Sequence, residues 1–184
     1  GLMDQLQPFD VASFTGSAQT AAIIRASDAV TRHSVRTNIE ADSINSALLL
    51  PGHAAGSDAV NLLVREVVRE MTVKSGQKCT AIRRIFVPQD IYDDVAQAIA
   101  ASLAKITVGN PRNENVRMGS LVSREQFDGV QQGIAQLQQA AQTMYDGRSN
   151  ALVDADAAIA ACAQPVLLGT KDADGAALVH DMEV

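Results

Sequence analysis

The chain has 184 residues, room for one domain burying about 70% of the surface its unfolded form would expose. Hydrophobic residues make up 47% and charged residues 20%, with 3% aromatics and no tryptophan, so the core must be aliphatic and alanine-rich. A net charge of −6 with no basic tract argues against nucleic acid, and no apolar run nears the ~20 residues of a membrane span.

In chain order, the first elements read as strand, helix, strand. A short apolar strand over 11–14 leads through Thr15-Gly16-Ser17 into an alanine- and isoleucine-rich helix over 18–26. A strand that enters a helix through Gly-Ser can bind phosphate, because the first helical N–H groups are unpaired and the dipole is positive there. The same residues also suit an ordinary turn capped by Ser17. A second strand over 35–39 ends in the carboxylate of Glu40, which is either a solvated strand end or a base for water attack.

A third strand over 46–50 closes at Pro51-Gly52. A helix over 58–73 then places Val60, Leu63, Val64, Val67, Val68 and Met71 on one face, and Arg65, Glu66, Arg69 and Glu70 on the other. A fourth strand runs over 82–87 and stops at Pro88. Asp90 can cap a helix in which Ile91, Val95, Ile99 and Leu103 recur every fourth residue. Ser123-Arg124-Glu125-Gln126 forms a capping-box pattern, with Phe127, Val130, Ile134, Leu137, Ala141 and Met144 following at helical spacing. Beyond that, 155–163 reads as helix, and 165–168 and 176–179 as short strands. His33, His53 and His180 are scattered and read as surface residues, so no metal site is expected.

Between the long helix and the fourth strand lies Lys74-Ser75-Gly76-Gln77-Lys78-Cys79-Thr80-Ala81-Ile82-Arg83-Arg84. Thiolate is the reactive form of cysteine, and positive charge nearby lowers the cost of making it. Lys74, Lys78, Arg83 and Arg84 all lie close to Cys79 in sequence, and Gly76 permits a tight turn before it. A packed, inert cysteine is the competing reading. Cys162 lacks such neighbours and reads as packing. Two cysteines are too few for a disulfide framework and suit a reducing compartment, the cytoplasm; the polar start at Asp4, Gln5 and Gln7 offers no signal-peptide core.

Gly76-Gln77-Lys78-Cys79-Thr80-Ala81 resembles the catalytic-cysteine motif of the NAD(P)-dependent aldehyde dehydrogenase superfamily. Phe14-Thr15-Gly16-Ser17, Val108-Gly109-Asn110-Pro111 and Met118-Gly119-Ser120-Leu121-Val122-Ser123 resemble further elements of that family, in the same order and at similar spacing. Glu40 stands where the family carries Glu-Leu-Gly-Gly-Lys, whose glutamate is the general base. Here the following residues are Ala41, Asp42, Ser43 and Ile44, so only the glutamate is kept. Glu183-Val184 matches the start of the family element that binds the nicotinamide ribose.

The resemblance implies an α/β fold: a truncated three-layer αβα aldehyde dehydrogenase catalytic domain over 40–184, preceded over 1–39 by a strand–helix remnant of the dinucleotide-binding domain. It implies Cys79 as nucleophile, Glu40 as base, Gly16 and Ser17 near the dinucleotide pyrophosphate, Glu183 at the ribose, and NADP or NAD as cofactor. A base at Glu40 favours water over coenzyme A as acyl acceptor. The run Arg65-Glu66-Val67-Val68-Arg69-Glu70-Met71-Thr72-Val73-Lys74 and the Glu40-Ala41-Asp42-Ser43 sequence are similar to bacterial phenylacetate-degradation ring-opening proteins of the family. In those the substrate is a CoA-linked semialdehyde and a hydratase-like domain is fused to the dehydrogenase. By the same resemblance the chain is a middle piece of a longer, homo-oligomeric enzyme, and is expected not to catalyse alone. A cysteine hydrolase lacks a recognisable activating histidine here; a non-catalytic scaffold that kept the fold is the other alternative.

Overall fold

The computed structural model describes residues 1–172, 174, 175 and 177–184. They form two compact units, Gly1–Ser43 and Ile44–Val184. In the first unit, β1 (Val11–Gly16) and β2 (Arg36–Ala41) pair in parallel, with Val11 opposite Arg36 and Gly16 opposite Ala41. Parallel neighbours need a crossover. Here it is made by α1 (Ala18–Arg25) and the short α2 (Asp28–Thr31). Ser17 starts α1 as the sequence predicts: its Oγ accepts the Thr20 N–H at 3.2 Å. Ala21, Ala29 and Val35 are the buried apolar residues of this unit.

The second unit repeats the same local logic. β3 (Asn45–Leu48) and β4 (Ile82–Phe86) are parallel and joined through α3 (Asp58–Thr72). After them come α4 (Tyr92–Leu103), α5 (Arg124–Leu137), an antiparallel pair of β5 (Gln142–Asp146) with β6 (Val166–Gly169), and α6 (Ala177–Asp181). The expected α/β class is the one observed. Val60, Val64 and Val67 of α3 share one core with Val95, Ile99 and Leu103 of α4 and with Leu49, Ile91 and Leu167. Each large aliphatic side chain so buried contributes about 1.5–3 kcal/mol relative to exposure. The fourfold spacing of Ile91, Val95, Ile99 and Leu103 is therefore a core stripe. A smaller cluster gathers Val108, Met118 and Cys162. No helix among the described residues is long and apolar enough to cross a membrane.

Four sequence expectations change. Asp90 does not cap α4: Gln89–Ile91 form a single 3-10 turn after Pro88, and the helix starts at Tyr92 with Asp93 and Asp94 in its first turn. Carboxylates there complement the helix dipole without a capping hydrogen bond. Next, α5 stops at Leu137, and Ala141 and Met144 are not on it; Met144 lies in β5, whose partners on β6 are remote in sequence, as Gln142 opposite Gly169 shows. Residues 155–163 are a turn at 157–159 within irregular chain rather than helix. Their neighbourhood bonds to distant loops, with Leu121 N donating to Ala161 O and Asn110 N to Val153 O, which outweighs alanine's helix propensity. Finally, 177–179 are helical rather than extended, while Ala176 lies outside the described residues.

Candidate active site

Cys79 lies in the loop between α3 and β4, and its side chain is exposed. Before it the chain makes an unusual turn: Lys74, Ser75 and Gly76 have φ values of 52°, 57° and 73°. That region suits Gly76, as the sequence predicts, but costs L-residues roughly 1–2 kcal/mol each, so the turn has to be held from outside. Several contacts hold it. Ser75 Oγ donates to Gly119 O at 3.0 Å, and Val122 N donates to Gln77 Oε1 at 3.0 Å. Arg83 Nη2 donates to Gly76 O at 2.8 Å, and Gln77 Nε2 to Lys74 O at 3.1 Å. The Gly-Gln of the cysteine motif and the Met-Gly-Ser-Leu-Val-Ser loop are thus two halves of one tether. Past the turn, Ala81 N donates to Lys78 O at 3.0 Å, which makes Cys79 the first corner of a tight turn.

Three of the four cations near Cys79 in sequence have other partners. Lys78 Nζ pairs with both Glu70 oxygens, at 2.9 and 2.8 Å. Arg83 holds the Gly76 carbonyl, and Arg84 donates to the Met182 carbonyl. Burial lowers the pKa of both guanidinium groups, while Glu183 acts against that shift in each. Their visible work is to fasten backbone around the cysteine.

Glu70 belongs to the charged face of α3 by spacing, yet it is only 9% exposed. The hydrogen bonds from Lys78 are the main cause that holds its carboxyl below the usual range; burial opposes them, and the charges of Lys78 and Arg69 add to them. A carboxylate with a depressed folded-state pKa adds stability above its unfolded value, about 4.3, and loses it as pH falls through the folded value. Glu70→Gln should therefore flatten the acid side of the stability curve below about pH 4.3. Urea midpoints taken between neutral and acid pH measure this. Parallel curves for the two proteins would remove the ion pair from acid stability.

Glu183 lies at the end of the same unit, electrostatically coupled to Arg83 and Arg84 of β4. The neighbouring Met182 and Val184 side chains pack on Gly133 of α5; a Cβ at Gly133 would come within 2.6 Å of Val184. The last residues are thus docked between α5 and the strand that follows Cys79.

In the first unit, Glu40 is exposed on β2 in register with Thr15, so it stands beside the Gly16-Ser17 turn. Asp42, where the family has glycine, takes a left-handed φ of 54°. Asp tolerates that conformation better than most residues. Its N–H donates to Gly16 O at 3.0 Å, and its Oδ1 accepts from Ala18 N at 2.8 Å, at the start of α1. Gly16, Ser17 and Glu40 are therefore brought together in one unit, and Cys79 and Glu183 lie in the other.

Sequence reasoning missed Asp42's contact and also Asn45. The Asn45 amide donates to Cys79 O at 2.6 Å and to Ala81 O at 3.3 Å. The available signal was a polar amide at the first position of an otherwise small and apolar strand. Cys162 is 6% exposed, burial pushes its thiol pKa up, and its sulfur lies 3.8 Å from Gly109 O, which fits a packing role. The three histidines are exposed.

The pattern described as the aldehyde dehydrogenase family matches residues 3–177. The chain belongs to that family.

Among curated relatives, this aldehyde dehydrogenase chain is 49% identical over all 184 residues to a 3,4-dehydroadipyl-CoA semialdehyde dehydrogenase of Aromatoleum evansii, spanning 36% of that protein. Among solved structures it is similar to a Pseudomonas syringae aldehyde dehydrogenase complexed with NAD+ and octanal. The TM-score there is 0.71 and the identity 22%, over 89% of this chain and 32% of the other. It is likewise similar to a glyceraldehyde-3-phosphate dehydrogenase of Methanocaldococcus jannaschii complexed with NADP, with TM-score 0.67 and 21% identity, over 86% of this chain and 31% of the other. These structural likenesses speak to fold. The chain spans about a third of the length of these relatives.

Proposed function

We propose that the chain is part of an enzyme that oxidises a CoA-linked semialdehyde to a carboxylic acid, with NADP or NAD as hydride acceptor and Cys79 as nucleophile. The observation that carries this reading is an exposed thiol at the corner of a turn, just after a segment tethered to Gly119 and Val122 by its own Ser75 and Gln77 side chains and held by Arg83 of β4. The relative at 49% identity supplies the substrate class. Residues 1–39 then close the dinucleotide-binding domain and 40–184 form part of the catalytic domain. In the whole protein we expect a fused hydratase-like domain, homo-oligomeric assembly and a cytoplasmic location; both cysteines are free thiols, which suits a reducing compartment.

In the first unit, the start of α1 fits the pyrophosphate of a dinucleotide. Gly16-Ser17 lies at the N-terminus of an eight-residue helix, where anions are favoured, and Ser17 is exposed. Asp42 is exposed as well, and its carboxylate accepts the Ala18 amide, the donor that a pyrophosphate would use there. In the second unit, Glu183 would be the carboxylate for the ribose hydroxyls.

In the reaction, the Cys79 thiolate adds to the aldehyde carbon, and the carbonyl oxygen becomes an alkoxide that the Cys79 backbone N–H helps to hold. The nicotinamide, when bound, supplies the hydride acceptor that converts this adduct into a thioester. Glu40 takes a proton from water as that water attacks the thioester carbonyl, and the carboxylic acid leaves with the thiolate restored. The test is oxidation of 3,4-dehydroadipyl-CoA semialdehyde against its CoA-free analogue by the full-length enzyme, followed by reduced cofactor and by mass analysis of the product. The CoA-linked substrate should win in kcat/KM by about tenfold or more, since remote binding energy is spent at the reacting centre. The product should be a free carboxylate. No reduced cofactor with either aldehyde would overturn the reading.

A further inference from the structure

We infer that Asn45 is a positioning residue for the nucleophile, a fork that fixes the backbone on which Cys79 is displayed. The inference rests on Cys79 being the nucleophile proposed above. Asn45 is the first residue of β3, opposite Ile82 at the start of β4, and the register shifts by one residue immediately after it, so that Ser46 faces Arg84. Such bulges locally break the ladder and re-aim neighbouring groups. Here the break leaves the carbonyls of Cys79 and Ala81 to be met by a side chain, and the Asn45 amide meets both, at 2.6 and 3.3 Å.

The chemistry decides which end of the amide is involved. A carbonyl oxygen only accepts, so both contacts must come from the NH2 group, whose two hydrogens diverge in a fixed plane. One planar group holding two carbonyls two residues apart leaves little freedom to the segment between them. Together with the Ala81 N to Lys78 O bond, it fixes both ends of the turn on which Cys79 sits. The Cα–Cβ direction of Cys79 and the direction of its own N–H, the donor to the developing alkoxide, are then set by β3. Because Cys79 and Thr80 are exposed, packing does not do this work. A nucleophile displayed on an exposed turn needs such a hold: misplacement by about 1 Å can cost a hundredfold in rate.

The consequence is specific. Asn45→Asp keeps the size but presents carboxylate oxygens to two carbonyl oxygens, and Asn45→Ala removes the fork. In the full-length enzyme, either change should lower the first-turnover rate of cofactor reduction by about ten- to a hundredfold, with KM for aldehyde and dinucleotide Kd altered less than about threefold. Alkylation of Cys79 by iodoacetamide should stay within about threefold of wild type, because a small reagent attacks an exposed thiol from many directions and does not need the aligned geometry. Asn45→Gln, which keeps the NH2 group on a longer arm, should recover part of the lost rate.

First-turnover rates at the wild-type level in Asn45→Asp and Asn45→Ala would overturn the inference. So would an equal loss in first-turnover rate, dinucleotide affinity and unfolding temperature with no recovery in Asn45→Gln, because that pattern marks a purely structural residue. If Asn45→Asp does not fold, the comparison of Asn45→Ala with Asn45→Gln still decides. Failure of the nucleophile reading itself is seen separately, as dehydrogenase activity that survives Cys79→Ala.

Discussion

Replacing Cys79 by alanine in the full-length enzyme is expected to lower aldehyde oxidation by about four orders of magnitude or more, while dinucleotide affinity stays at the wild-type level. Without the sulfur the proposed covalent adduct cannot form, and the other thiol of this chain is poorly placed to substitute: Cys162 is buried, and burial disfavours its ionised form. The turn itself should survive the substitution. Its holds at Ser75, Gln77, Arg83 and Asn45 do not involve the Cys79 side chain, and residue 79 is exposed. Steady-state oxidation and calorimetric titration with NAD and NADP separate the two quantities. Oxidation by the variant at a rate close to wild type would remove Cys79 from the chemistry.

The contrast between Cys79 and Asn45 shows what the sequence could disclose. A motif carries its own context, so Gly76, Gln77 and Cys79 could be read as one unit, and the helical spacing of Ile91, Val95, Ile99 and Leu103 pointed directly to a buried stripe. The same period continued past Leu137 only by coincidence, because the partner that makes β5 a strand is β6, remote in sequence. Charge was only partly legible for a related reason. Lys78 and Arg83 are close to Cys79 along the chain, but their directions are set by Glu70 on the preceding helix and by the Gly76 carbonyl. Asn45 and Asp42 act across the fold, on Cys79 and on Ala18, and no periodicity announces a side chain that bonds to a distant backbone atom.

Asp42 also explains how a departure from the family motif can be tolerated. The position needs a left-handed backbone, which glycine adopts freely and aspartate adopts with the help of local hydrogen bonds. Its carboxylate takes an amide at the α1 N-terminus, so the substitution adds a contact where it removes conformational freedom. β2 is in register with β1 as far as Ala41, and Glu40 lies beside Thr15.

With Glu40 as the proposed base, Glu40→Gln is expected to give the second large effect. Glutamine keeps the size of the side chain and its exposed place on β2, but it cannot accept a proton from water. In the proposed sequence of steps, addition of Cys79 to the aldehyde and loss of hydride do not use this carboxylate; hydrolysis of the thioester does. The full-length variant should therefore produce reduced cofactor in a burst of about one equivalent per site, and then slow by about two to four orders of magnitude. Rapid-mixing kinetics resolve the burst, and mass analysis after quenching should find the acyl group still on the peptide that contains Cys79. A strong external nucleophile such as hydroxylamine should release it and restore turnover, because it attacks the thioester without needing a base. Equal steady-state rates in variant and wild type would assign water activation to another group. A missing burst with slow turnover would place Glu40 before hydride transfer, contrary to the sequence of steps proposed here.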